Sequence, residues 1–317
     1  MDASFDVIDT ALLDAFAQRG HRAELADPDT IVVTLADGYR ARASIAEWRR
    51  YAGRIARADL PALAAQYADQ AVRAFQRHHG AVPGSRPGGG RALLAAGNLR
   101  VRLYPESALD EPMRAALVTR SLAPGLLQAV VVDHPDSMTL LNRADLGDVS
   151  ESEAFGEALT RSINDEPHFV ETSELNGVKI THIGEQHRYI GAHVHVLTRY
   201  FPGPLPFGAL VAFPLPEYLM VHEIGNDKHL VIAVTTFQDL AARLAETGEK
   251  PISPQVYWWR PGEYELLAER DALYGGRVPD LRPVGMQIEE GEDGRLKVGL
   301  EGEATAELVQ GWEAARG

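Results

Sequence analysis

The chain contains no cysteine. That excludes disulfides, a thiolate nucleophile and zinc held by sulfur, and it fits a cytoplasmic protein. No run of about 18 apolar residues occurs, so no membrane-spanning helix is expected. Basic charge is in short supply. Lysine and arginine total 31 against 45 aspartates and glutamates, a formal net charge of −14. Nucleic acid and anionic membrane, which are bound through basic surface, are therefore not the expected partners. Catalytic signatures are missing too. There is no G-x-S-x-G elbow and no dinucleotide fingerprint after a strand. His222-Glu223 opens no zinc-protease motif, because Asn226 stands where the second histidine would fall. The first twenty residues, MDASFDVIDTALLDAFAQRG, are acidic and amphipathic rather than basic then apolar, which is not a secretion-signal pattern.

What the chain does have is well-patterned sheet and helix, concentrated between Pro204 and Gly262. Gly208–Phe213 and Tyr218–Ile224 are apolar runs of strand length, separated by Pro214-Leu215-Pro216-Glu217. A third run, His229–Val234, reads as another strand after the turn Gly225-Asn226-Asp227-Lys228. Phe237, Leu240, Ala241 and Leu244 then recur at helical spacing, with Thr236 as the expected N-cap. A last strand carries Tyr257, Trp258 and Trp259.

Upstream, a helical stripe (Ile8, Leu12, Ala15, Phe16) precedes a hairpin over 30–44 whose turn holds Asp37-Gly38. Helices are expected at 45–51 and 59–79, giving an N-terminal α+β module over residues 1–79. Six arginines lie between Arg40 and Arg57, and solvated helix surface is the simplest account of them. Residues 80–90, GAVPGSRPGGG, read as a Gly/Pro-rich linker. A phosphate loop would need a strand before it and a lysine with a hydroxyl after it, and neither is there. A central α+β domain is expected over 91–270, and an acidic hairpin with a marginal terminal helix over 271–317. Within the centre, strands are expected at 99–104, 128–133, 137–142, 178–184, 192–200 and 264–267, and Ser150 with Glu153 forms a capping box. The order strand-strand-helix appears three times, at 30–51, 128–163 and 218–246. It predicts an α+β fold of mostly antiparallel sheets with helices packed on one face.

Two constellations are candidates for a site. Six of the eleven histidines fall between His182 and His229. His193 and His195 sit two apart on an expected strand and so share a face. With His222 and His229 they would form a site for zinc or another divalent ion. The competing reading is a half-exposed polar strand face without metal, and it is the simpler one, so no cofactor is expected. The second constellation is Tyr257, Trp258 and Trp259. Strand neighbours face opposite ways, so either both faces are core, or one is exposed and offers these aromatics to a protein partner.

Five stretches resemble an uncharacterised bacterial family typified by the YtpQ protein. They are LRVRLYP (99–105), AVVVDHPDSMTLLNRADL (129–146), GALVAFPLPEYLMVHEI (208–224), AVTTFQDLA (233–241) and ISPQVYWW (252–259). The resemblance covers the middle and C-terminal portions, implies an α+β protein of the cytoplasm, and carries over no site. These features together favour a protein that acts through protein–protein contacts: an adaptor, or a secretion-chaperone-like or immunity-type protein. The alternative is a metal-dependent hydrolase built on the histidines.

Overall fold

The computed structural model describes residues 5–315, apart from 29, 36–39, 54, 82–88, 135–136, 202, 204, 226–229 and 291–295. The expected linker and the Asp37-Gly38 turn thus lie largely outside the described residues. The chain divides into two units, Met1–Gly84 and Ser85–Gly317.

The first unit runs α1 (Phe5–Ala17), β1 (Arg22–Asp27), β2 (Thr30–Thr34), β3 (Arg40–Ser44), α2 (Ala46–Ala52) and α3 (Leu60–Ala81). The three strands form one antiparallel sheet in chain order. Apolar residues at helical spacing (Ile8, Leu12 and Phe16 from α1, Leu60, Ala64 and Ala68 from α3) meet Ile31 and Val33 of β2 in its core. Arg49 departs from the solvated surface expected of the arginines. It is largely buried and pairs with Asp9 at 2.6 Å. β1 was not expected, since in RAELAD only Ala23 and Leu25 alternate inward, a short signal for a strand that pairs with β2 at the sheet edge.

The second unit begins with α4 (Gly89–Ala95), β4 (Leu99–Pro105), α5 (Glu111–Ala116), β5 (Thr119–Ala123), β6 (Leu126–His134), β7 (Ser137–Leu140) and α6 (Glu151–Asn164). β4, β6 and β5 form a sheet, with β7 pairing to β6. The capping box at Ser150 and Glu153 is present, and α6 lays Phe155, Ala158 and Leu159 against this sheet. Then follow β8 (Phe169–Leu175), β9 (Val178–Gly184), a 3₁₀ segment (Ile190–Arg199), β10 (Ala209–Leu215), β11 (Tyr218–Glu223) and α7 (Leu230–Thr247). The chain ends with β12 (Val256–Arg260), α8 (Glu269–Tyr274), β13 (Asp280–Glu290), β14 (Leu296–Glu301) and α9 (Gly302–Ala314). Seven of these strands form one antiparallel sheet in the order β14-β13-β12-β10-β11-β9-β8. The fold is α+β with antiparallel sheets and helices packed on them.

Alternation along the central strands builds two cores at once. Val211, Val221, Tyr257 and Trp259 face the 3₁₀ segment and the β4-β6-β5 sheet. Leu210, Met220 and Trp258 face α7 and α9. Four expectations need correction here. Residues 230–234 open α7 rather than forming a strand, because Leu230, Ala233, Val234 and Phe237 already keep the helical spacing of its buried face. Residues 192–200 lie in the 3₁₀ segment, and 264–267 form a turn before α8. Residues 271–317 are not a separate module, since β13 pairs with β12 and α9 buries Leu308 and Trp312 against the same sheet.

Candidate functional site

The aromatic strand is not a surface. Tyr257, Trp258 and Trp259 are 1%, 7% and 1% exposed, on alternating faces of β12. Their polar handles are all used inside the protein. Tyr257 donates its hydroxyl to the Pro124 carbonyl at 2.9 Å, and Trp258 donates Nε1–H to the Phe207 carbonyl at 2.7 Å. Trp259 Nε1–H reaches Glu265 at 3.0 Å. The apolar neighbourhood accounts for this, and the exposed-face expectation is withdrawn.

Of the histidines named for a metal, the described ones, His193, His195 and His222, do not converge. A 3₁₀ helix has three residues per turn, so residues two apart lie on different faces. His193 shares a 2.5 Å hydrogen bond with the Tyr200 hydroxyl, and its ring lies 4.3 Å from that of His168, tilted by 51°. His195 turns the other way, toward the Tyr264 hydroxyl at 2.6 Å and the Gln128 amide at 2.9 Å. His222 donates from Nδ1 to the Lys179 carbonyl at 2.7 Å, and His229 lies outside the described residues. Among the described residues no three of His, Cys, Asp or Glu are grouped to hold a metal ion.

Both buried histidines are neutral near pH 7. Burial, aided by His168, His187 and Arg199, lowers His193 to about 3. Burial and then Arg120 push His195 well below the ordinary imidazole value. The Tyr200 hydroxyl is raised to about 12 by burial. The His193–Tyr200 pair therefore keeps a neutral imidazole beside a neutral hydroxyl at neutral pH. Folding must leave both imidazoles uncharged, whereas the unfolded chain takes up a proton on each below about pH 6.5. Stability is thus expected to fall as pH drops through 6.5, by about 1.4 kcal/mol per pH unit for each histidine. For His193 the loss continues toward pH 3. Melting temperatures from pH 7 to 5 check this: a steady decline, shallower in His193→Asn, is the expected result, and a flat profile would refute it.

The seven-stranded sheet ends in two edge strands among the described residues, β14, which carries Lys297, and β8. β8 is an edge strand, pairing only with β9 among the described residues. Edge strands are blunted by charged side chains, lysine above all, and by proline; FVETSEL has two glutamates but no lysine or proline. Phe169 and Val170 are 41% and 46% exposed. Beside β8 lies a groove of about 560 Å³, lined by Val170, Thr172, Lys179, Tyr200 and Phe201, with Glu223 at its rim. The opposite face of the same strands presents Glu171 and Ser173 of β8 with His182 of β9 and Tyr218 of β11. A groove of similar size near Pro124, Gln238 and Ser253 touches only the last residue of the other edge strand, Glu301 of β14, rather than running along it. β8 went unread in the sequence because only Phe169, Val170 and Leu175 are apolar. Its signal was the turn that follows. Asn176-Gly177, both at positive φ (53° and 76°), is the dipeptide that closes a two-residue hairpin.

No family model, curated protein or solved structure matches this chain. No helix among the described residues is long and apolar enough to cross a membrane.

Proposed function

We propose that this chain acts through protein contacts, as an adaptor, chaperone-like or immunity-type binding protein, and that its partner supplies an extended basic segment alongside β8. The observation behind this reading is the unpaired edge of β8, free of lysine and proline, with a groove running beside it. A strand added there gains main-chain hydrogen bonds from the edge, and its alternate side chains enter the groove. Charge selects the chemistry of the partner. β8 carries Glu174 on the groove side and Glu171 on the other, and Glu223 lines the groove. With a net charge of −14 over the whole chain, lysine and arginine are favoured along the edge, although Lys179 stands opposite Glu174. A cytoplasmic setting, without nucleic acid or membrane as partner, belongs to the same reading. Kinship with the YtpQ-type family stays part of the proposal. The stretches that carry the resemblance fall on β4, β6–β7, β10–β11, α7 and the entry to β12, which form the core rather than the open edge. For the metal-dependent hydrolase, the described histidines named for it are each held by separate partners.

Two synthetic ten-residue peptides test the proposal, one alternating lysine with valine and one alternating glutamate with valine. Fluorescence anisotropy is expected to show binding of the basic peptide alone, weakening as salt screens the charges. Val170→Lys places a like charge in the groove and should weaken binding about tenfold or more, a loss of about 1.4 kcal/mol. Its effect on stability should stay within about 0.5 kcal/mol, as for other surface changes. Binding of neither peptide, or unchanged binding by Val170→Lys, would contradict the reading.

A further inference from the structure

The face of the sheet opposite the groove holds a second arrangement, built from three neighbouring strands. Ser173 of β8 lies with its hydroxyl 2.6 Å from Nε2 of His182 on β9. The other ring nitrogen, Nδ1, is hydrogen-bonded to the hydroxyl of Tyr218 on β11, whose ring stacks on the imidazole with centroids 5.6 Å apart. Glu171 is the register partner of His182 across the β8–β9 ladder and raises its proton affinity against the effect of burial. A hydroxyl within reach of an imidazole, and that imidazole fixed by a third group, is the minimal layout of an activated nucleophile. The groups are also accessible, unlike His193 and His195. Ser173 and Glu171 are exposed, while His182 and Tyr218 are half-buried.

We infer that Ser173, His182 and Tyr218 form an acyl-transfer site, with Ser173 as nucleophile, acting on esters whose acyl chain lies along β8. With Nδ1–H donated to the Tyr218 oxygen, Nε2 is left as the acceptor for the Ser173 proton. Ser173 Oγ bonds to the ester carbonyl carbon as His182 Nε2 takes the hydroxyl proton, and the carbonyl electron pair moves onto its oxygen. When that intermediate collapses, the carbon–oxygen bond to the alcohol breaks and the alcohol leaves with the proton from His182. Water then repeats the sequence on the acyl-serine, with His182 again taking and returning one proton, and releases the carboxylic acid. Glu171 stabilises the imidazolium that forms in each half. Every second residue of an antiparallel edge strand turns its backbone N–H outward, so β8 offers oxyanion donors beside the nucleophile. Phe169, four residues before Ser173 on the same face of β8, gives an apolar acyl chain a surface to rest on. An ester suits this open site better than an amide, because alcohols leave more readily than amines. Tyr218 acts as a positioning residue through His182.

The inference concerns an activity carried by Ser173 and His182 rather than by the groove. Both readings draw on the outward amides of β8, so a bound basic segment should inhibit hydrolysis, yet either can fail alone. A fluorophosphonate probe followed by peptide mapping reports the nucleophile directly, and p-nitrophenyl butyrate reports turnover. Label is expected on Ser173 of the native protein. Ser173→Ala should abolish labelling and lower hydrolysis about a hundredfold or more, and His182→Gln should lower it to a similar extent, the range removed with a general base. Tyr218→Phe should lower kcat while KM holds, and should shift the pH–rate profile, whose rising limb belongs to His182. Circular dichroism confirms that the variants stay folded, since the substituted groups are exposed or half-buried. Absence of label on Ser173 in the folded protein would overturn the assignment, as would hydrolysis that survives Ser173→Ala. Labelling undiminished by His182→Gln would remove the base and with it the site.

Discussion

Replacing Trp259 with alanine is expected to cost about 3 to 5 kcal/mol, the range for truncating a large buried aromatic. Trp259 is among the largest fully buried side chains and packs in the core beneath the 3₁₀ segment. Its loss opens a cavity and strips Glu265 of an indole N–H it accepts at 3.0 Å. Burial already raises the Glu265 carboxyl, and losing the indole leaves it one hydrogen-bond donor fewer, with the Gly262 N–H at 2.7 Å retained. Small domains hold only about 5 to 15 kcal/mol in all, so the variant sits near the unfolding threshold. Trp258→Ala attacks the same strand from its other face. It removes contacts with the α7 and α9 core, the hydrogen bond to Phe207, and the ring beneath the guanidinium of Arg260 at 5.7 Å. Both variants are expected to be severely destabilised in urea unfolding followed by circular dichroism. A tryptophan whose truncation costs less than about 1 kcal/mol would mean that its face of β12 is not core.

Gly208→Ala is expected to disrupt the start of β10. Gly208 has φ +70°, where a side chain strains the backbone by about 1 to 2 kcal/mol. The added Cβ would also stand 2.0 Å from the carbonyl oxygen of Trp259, with Pro261 at 3.0 Å. That obstacle is main chain in the β10–β12 ladder and cannot rotate away. The glycine also holds the turn by donating to Leu205 at 3.0 Å and accepting from Ile224 at 3.1 Å. Gly177→Ala is the natural control, with φ +76° and nothing within 4 Å of the added carbon. The control should lose about 1 kcal/mol, the conformational cost alone. Gly208→Ala should lose several times that, read as the difference in urea midpoints. Equal losses would show that the close approach to Trp259 has no energetic weight.

The sequence made the class of fold readable because alternation and helical spacing were strong where burial was complete. β10, β11 and β12 carry nearly continuous apolar runs, and the Ser150–Glu153 cap announces α6 within a residue. Errors arose where one pattern serves two structures. Val231, Ile232 and Val234 are β-branched, yet they open α7, since tertiary packing overrides local preference. His193-Val194-His195 alternates like a strand, but the segment turns every three residues and sends the two imidazoles into different pockets. The open edge was hardest to see. β8 is polar because it is exposed, so it lacks the periodicity by which buried strands are recognised. Ser173, His182 and Tyr218 come from three strands, and only the pairing of β8, β9 and β11 brings them together.

Backbone hydrogen exchange resolved along β8 tests the central claim most directly. In the free protein, the amides of Phe169–Leu175 that point away from β9 should exchange quickly, since solvent is their only partner. With the alternating lysine–valine peptide added in excess, those same amides should slow, while β12 and α7 keep the protection they already had. Slowing confined to β13, β14 or α9, or an exchange pattern at β8 that the peptide leaves unchanged, would contradict the assignment of β8 as the partner-binding edge.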